Sequence, residues 1–191
     1  MKKIFVMSLS ISLVCSSLVG CGSGAGSAQA QSYPSAPATK DLSSFKNTYW
    51  YVPANYLLAY KFDNKQTPTI TQVSDQTVWQ IKEASNGYLT GCSFTSTDNG
   101  ATWSSATIVG SVTVENKVSL GFYGTSLVVG QGTLVSAYNQ PAFLMQMSAG
   151  NGISGLTHWA YMLPVTPQDP TWNNLPGTNS QSVSTVISAG C

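Results

Sequence analysis

The sequence predicts an all-β fold, a single antiparallel β-sandwich or β-barrel domain on a flexible N-terminal tether. From residue 48 onward, apolar residues alternate with polar ones or come in short runs, which is the periodicity of strands. Turn signals separate these runs at intervals of roughly 8–12 residues. The chain has 191 residues, so the predicted domain, residues 41–191, is long enough to bury a hydrophobic core.

The predicted elements begin with a short helix over residues 41–47, for which Asp41 is a suitable N-cap. Strands are predicted over residues 49–52, 56–62, 69–73, 77–82, 88–95, 102–109, 111–114, 117–123, 126–129, 133–138, 142–147, 157–163 and 182–187. Hairpin turns are predicted at Asn86-Gly87, Asn99-Gly100, Glu115-Asn116 and Gly130-Gln131-Gly132. Residues 164–178 contain four prolines and no clear period, so an ordered loop is expected there.

The composition excludes one class of partner. Eight lysines, no arginine and seven acidic residues give a formal net charge of +1, and polarity comes mainly from 27 Ser and 19 Thr. Charged residues make up 8% of the chain, against roughly 25% in typical soluble domains. Binding a phosphate backbone takes a concentrated Lys/Arg surface, so nucleic acid is not an expected partner.

The first twenty residues are typical of a signal peptide. Two lysines at positions 2 and 3 form a positive head, and residues 4–19 form an apolar run. Serines dilute that run, which is too short and too weakly apolar for a stable membrane span. The run ends in Leu18-Val19-Gly20-Cys21, which resembles the lipobox of bacterial lipoproteins.

The lipobox resemblance implies a membrane partner and a location. In that family the signal peptide, here residues 1–20, is removed, and the new N-terminal Cys21 carries a diacylglyceryl group and a further acyl chain (palmitate). Several acyl chains anchor a protein firmly. Residues 21–40 are then an acylated, flexible tether in the cell envelope, and Gly22 favours the outer membrane under that family's sorting rule. The alternative is an ordinary secretory signal cleaved near Ala28 or Ala30.

Residues 96–103 read Ser-Thr-Asp-Asn-Gly-Ala-Thr-Trp, which resembles the Asp-box of sialidase-like propellers. In that family the Asp binds turn amides, the Gly takes a positive φ and the Trp packs beneath, away from the catalytic face. The resemblance therefore assigns Ser96, Asp98, Gly100, Thr102 and Trp103 to a structural hairpin turn. A propeller needs several such boxes and a sialidase needs an arginine cluster, and this chain has one box and no arginine.

No catalytic residue, metal site or cofactor is predicted. His158 is the only histidine, with no nearby pair of acids for zinc, and no nucleophile motif accompanies it for a catalytic triad. No two carboxylates stand out as a pair for glycoside hydrolysis. Trp50, His158 and Trp159 are weak ligand-binding candidates, because exposed rings stack on sugars and peptides. The alternative is that they are packed strand residues.

Two cysteines are expected to form a disulfide. Cys15 falls in the predicted signal peptide and Cys21 in the anchor, which leaves Cys92 and Cys191 to pair in an oxidising compartment. The bridge would pin the predicted strand 182–187 to the sheet and close a loop of about 100 residues. The alternative is a buried free Cys92 and an exposed free Cys191.

Two classes of function remain open for this predicted envelope lipoprotein. The first is a non-enzymatic binding module, an assembly partner, inhibitor or immunity factor whose ligand is an envelope protein or glycan. The second is a glycan-active hydrolase, suggested by the Asp-box and the scattered acids. Two carboxylates facing each other across a cleft would favour the enzyme, and a flat or convex apolar patch would favour the binding module.

Overall fold

Nine β-strands make up most of residues 38–53, 55–62 and 67–191, which are the residues that the computed structural model describes. The strands are β1 (Thr48–Tyr51), β2 (Asn55–Phe62), β3 (Pro68–Ser85), β4 (Tyr88–Ser96), β5 (Ser104–Val112), β6 (Lys117–Tyr123), β7 (Leu127–Ala137), β8 (Gln140–Gly150) and β9 (Ser154–Val165). The short helices are a 3-10 helix (Ser43–Phe45), α1 (Pro170–Asn173) and α2 (Val183–Ile187).

The strands form one closed antiparallel barrel with eight strand positions. From β2 to β9 each strand pairs with the next in sequence, and β9 pairs back onto β2. β1 and β2 share one position, because both lie between β3 and β9, at opposite ends of the barrel. The predicted all-β class is confirmed, and of the two predicted architectures the structure is a barrel.

A buried side chain supports the place where β1 ends and β2 begins. The Gln76 amide donates to the carbonyl oxygen of Val52 at 2.9 Å and accepts from the Val52 amide at 3.3 Å. The same amide nitrogen donates to the carbonyl oxygen of Pro176 at 2.8 Å. One glutamine therefore satisfies backbone groups of both the interrupted strand and the C-terminal segment.

One end of the barrel, called the closed end here, is filled by aromatic and aliphatic side chains. Trp50 packs edge-on against Phe143 with ring centroids 4.7 Å apart, and Trp79 lies 5.7 Å from the same ring. Leu42 and Phe45, from the segment containing the 3-10 helix, are buried in the same cluster. The N-terminal part of the described chain thus plugs this end.

A second apolar cluster lies on the outer face of the barrel, beneath the C-terminal segment. It joins strand residues to residues of that segment, namely Val78, Cys92, Phe94, Val165, Leu175, Val183 and Val186. Cys92 is fully buried and forms a disulfide with Cys191, with Cα atoms 5.9 Å apart and a sequence separation of 99. The structure therefore confirms the predicted pairing.

The structure corrects two helix and strand predictions at the ends of the domain. Residues 182–187, predicted as a strand, form helix α2, because the Ser182 side chain caps it by accepting from the Thr185 amide at 3.1 Å. The predicted helix 41–47 is only the 3-10 turn Ser43–Phe45. Asp41 still accepts a hydrogen bond from the Ser43 amide at 2.9 Å.

The predicted turn at Gly130-Gln131-Gly132 is wrong, since these residues lie inside β7. A Cβ at position 132 would collide with the backbone carbonyl of Leu144 on β8, so glycine lets the two strands approach closely. The predicted turns at Asn86-Gly87, Asn99-Gly100 and Glu115-Asn116 do connect strands. Left-handed backbone at Asn86, Asn99 and Asn116 accounts for them.

The predicted signal peptide, Cys21 and residues 21–37 of the predicted tether lie outside the described residues. Within residues 38–53, 55–62 and 67–191, no helix is both long and apolar enough to cross a membrane.

Candidate functional site

The half of the barrel opposite the closed end contains a cavity of about 200 Å³. This end, called the open end here, carries the connections 97–103, 124–126 and 151–153. Apolar side chains supply most of the wall, namely Leu57, Ala106, Phe122, Val128, Met147 and Leu156. Hydroxyl groups and one ionisable pair also line it, among them Asp75, Thr77, Ser93, Thr95, Ser104 and His158.

On β3 and β9 the inward-facing side chains become more polar from the closed half to the cavity wall, and on β3 they also become smaller, which leaves space for the cavity. On β3, Ile81 and Trp79 fill the closed half. Thr77 and Asp75 lie on the same face of the strand, two and four residues before Trp79, and line the cavity. On β9 the corresponding change is from Met162 and Ala160 to His158. An eight-stranded barrel has room for side chains alone or for one small ligand, so small side chains leave room for a ligand.

Asp75 and His158 meet in the cavity wall and are both buried, with 4% and 6% of their surfaces exposed. The His158 Nδ1 lies 3.1 Å from the Asp75 Oδ2, at angles outside those of a hydrogen bond. The Thr77 hydroxyl donates to the Asp75 Oδ1 at 3.3 Å. Among the described residues, Asp75 Oδ2 and both His158 ring nitrogens have no hydrogen-bond partner.

Burial shifts both members of this pair toward their neutral forms. It raises the pKa of Asp75 to about 7, against the smaller opposing effect of the Thr77 hydrogen bond. It also lowers the pKa of His158 to about 4. Both shifts favour the uncharged forms, a neutral carboxyl group and a neutral imidazole, and the two groups titrate as a coupled pair because only 3.1 Å separates them.

The three predicted ligand-binding candidates lie in three different environments. His158 lines the cavity. Trp159, the next residue along β9, points to the outer face and is 57% exposed. Trp50 is 1% exposed in the closed-end core, where its Nε1 donates to Thr48 Oγ1 at 2.8 Å, so its proposed role in ligand binding is wrong. Its neighbours Tyr49 and Tyr51 pack instead against the outer cluster.

The Asp-box residues form the hairpin between β4 and β5. The Asp98 carboxylate accepts from the Thr102 amide at 2.9 Å, from the Thr102 hydroxyl at 2.6 Å and from the Ser96 hydroxyl at 2.8 Å. These hydrogen bonds lower the Asp98 pKa to about 2. Gly100 has φ +83°, and the Trp103 indole donates to the Gln181 side chain at 2.7 Å. The turn thereby joins the barrel to the C-terminal segment.

Sequence reasoning missed Asp75, which falls between the predicted strands 69–73 and 77–82. The available signal was parity, because Asp75 is an even number of residues from Trp79 and Ile81 and shares their face of one continuous strand. A carboxylate on the same face as buried aromatic residues is unusual enough to indicate a site.

A strip of apolar side chains lies on the convex outer wall, away from the cavity interior. Tyr123 and Leu127 are directly paired across β6 and β7, Val129 follows on the same face of β7, and all three are exposed. Val109 on β5 extends the strip and is also exposed. Such a strip is the feature expected of a binding module, although a cavity gives a more specific site.

Comparison of the chain with protein-family models, with curated proteins and with solved structures found no match. The chemistry of the cavity must then be read from its own residues. In the part of the chain that the structure describes, no three His, Cys, Asp or Glu residues are grouped so as to hold a metal ion. Asp75 and His158 are the titratable side chains among the described lining residues.

Proposed function

We propose that this protein is a non-enzymatic binding module that takes a small, mostly apolar molecule into its barrel cavity. The observation that carries the proposal is the cavity of about 200 Å³ in the open half of the barrel. An apolar cavity of about 150 Å³ in another protein binds benzene, so this one has room for on the order of ten non-hydrogen atoms. This ligand class differs from the envelope protein or glycan that the sequence suggested.

The small side chains around the cavity also support this proposal. Larger side chains at Ser93, Ser104 and Ala106 would fill the space, as Trp and Phe residues fill the closed end. Small residues at these three positions make fewer packing contacts. Such a loss is expected where a ligand supplies the missing contacts.

Filling the cavity tests the proposal. Titration of the full chain with benzyl alcohol should give saturable heat, and Ala106→Leu should abolish it because the added side chain occupies the cavity. Ala137→Leu makes the same change at a half-buried position outside the cavity lining and should leave binding intact. Equal binding by wild type and Ala106→Leu, or none by wild type, would contradict the proposal.

We further propose that the binding module is anchored to the bacterial envelope through lipid on Cys21. The support is the sequence Leu18-Val19-Gly20-Cys21 and its positive, apolar leader. Cys21→Ser should abolish labelling by a palmitate analogue and leave unprocessed or soluble protein. Cys15→Ser, within the leader, should label normally. Membrane association and label retained by Cys21→Ser would refute the anchor.

A glycan-active hydrolase is the other class that the sequence left open. It calls for two carboxyl groups on either side of the scissile bond, about 5–10 Å apart. Asp75 is the single carboxylate among the described residues that line the cavity. One lining carboxylate therefore favours binding over hydrolysis. Release of sugar from envelope glycan by the full chain would favour hydrolysis instead.

A further inference from the structure

Buried polar atoms of the cavity wall that have no partner among the described residues indicate the class of its ligand. We infer that the ligand is a small apolar amine whose ammonium group docks against the Asp75 carboxylate, an inference that rests on the proposed function. Its apolar body would then occupy the part of the cavity lined by Phe122, Val128 and Met147.

The hydrogen bonding of the cavity wall favours a ligand with a polar head group. Asp75 Oδ2 and both His158 ring nitrogens are buried without a hydrogen-bond partner among the described residues. Buried polar groups of native proteins are nearly always paired, and each unpaired one is destabilising. Because Asp75 and His158 line the cavity, a ligand head group there lies beside the two side chains that carry these atoms.

The charge of the cavity wall favours a cationic head group. An ionised carboxylate only accepts hydrogen bonds, and the hydroxyl oxygens of Thr77 and Ser93 accept as well. No lysine lies among the described lining residues. An anionic ligand would meet Asp75 as a like charge, whereas an ammonium group offers donors and compensates the buried negative charge.

The size and lining of the cavity favour a ligand with one ring. The volume of about 200 Å³ accommodates a single ring with a short side arm. Phe122 and Met147 are suited to contact a ring, through edge-to-face and sulfur–aromatic packing. Benzylamine has this shape, and benzyl alcohol is its uncharged counterpart.

Binding of an amine should depend on pH, because it requires ionised Asp75. The titratable groups on the described cavity wall are Asp75 and His158, and burial keeps His158 uncharged near neutral pH, so it does not repel a cation. With the Asp75 pKa at about 7, benzylamine affinity should rise about thirtyfold from about pH 5.5 to about pH 8. Benzyl alcohol affinity should change little.

The test is calorimetric titration of the full chain with benzylamine, benzyl alcohol and benzoate at these two pH values. Benzylamine should bind most tightly at the higher pH and benzoate least. Asp75→Asn keeps the shape of the side chain and removes its charge. It should weaken the affinity for benzylamine by on the order of thirtyfold and leave the affinity for benzyl alcohol within a few-fold of wild type. Glu115→Gln removes one exposed carboxylate and should change the affinity for neither ligand.

The outcomes separate the two proposals. Equal affinities for benzylamine and benzyl alcohol, with no pH dependence, would overturn the amine inference and leave cavity binding standing. Failure of all three ligands to bind would overturn the proposed function and the inference together. The pH profile of wild type decides the question even if Asp75→Asn does not fold.

Discussion

At the scale of single residues, Asp75 and His158 exchange a proton when the chain folds. In mildly acidic solution the unfolded chain has an ionised Asp and a protonated His, since their ordinary pKa values are 3.8 and 6.5. In the folded protein burial reverses both states, with pKa values of about 7 and about 4. Folded and unfolded chains then bind the same number of protons, so the pair makes stability nearly independent of pH in this range.

Replacing either member of the pair alone should make stability depend on pH, with opposite signs for the two substitutions. In Asp75→Asn the remaining His158 has a lowered pKa, so its contribution to stability is present above about pH 6.5 and is lost as the pH falls toward 4. In His158→Gln the remaining Asp75 has a raised pKa, so its contribution is present below about pH 3.8 and is lost as the pH rises through 7.

In each variant the free energy of unfolding should change by on the order of 3 kcal/mol between the folded and unfolded pKa values of the remaining group. Urea denaturation of wild type and both variants, from about pH 4 to about pH 7.5, measures it. Wild type should be nearly flat, apart from the contributions of other groups. Slopes of the same sign in the two variants would contradict this account of the pair.

At the scale of elements, the sequence predicted strands where apolar alternation was unbroken. Strand β6 has the predicted bounds, 117–123. Strand β3 was divided because polar residues 74–76 interrupt its pattern, and two of these have roles that only the folded barrel creates. Asp75 faces the cavity, and Gln76 binds the backbone at Val52. Asp75 was missed for the same reason, since it breaks the pattern by which strands are recognised, whereas His158 lies in an unbroken strand and was among the predicted candidates.

Two glycines of β7 give a matched test of strand packing. Gly132→Ala should destabilise the protein by about 2–3 kcal/mol, because its Cβ would collide with the carbonyl of Leu144. Gly130→Ala should cost less, since its Cβ would meet the flexible side chains of Met147 and Met145 at 3.1 and 3.2 Å. Denaturation midpoints of the two variants measure the difference. A smaller loss in Gly132→Ala than in Gly130→Ala would refute the close approach of β7 and β8.

At the scale of the whole molecule, the disulfide holds the C-terminal segment on the outside of the barrel, whereas the cavity lies inside the barrel. Replacing Cys92 and Cys191 by Ser should lower stability by up to about 4–5 kcal/mol, the chain-entropy value for a loop of this length. Proteolysis should then cut within residues 166–191 first, because only the outer cluster and a few hydrogen bonds retain that segment.

Ligand binding gives the control for that experiment. The cavity wall comes from the strands and from connections at the open end, so the Ser variant should still bind benzyl alcohol when folded. Loss of binding with an intact barrel would show that the C-terminal segment shapes the cavity, contrary to this account.

The most direct test of the central claim, that the barrel cavity binds a small molecule, is methyl NMR of the methionines. Met147 lines the cavity, whereas Met145 and Met162 are fully buried in the closed-end core and serve as internal references. Titration with benzyl alcohol should shift the Met147 methyl resonance saturably through the ring current and move the two references much less. A Met147 resonance that stays in place at millimolar ligand, or that moves only together with both references, would contradict the claim.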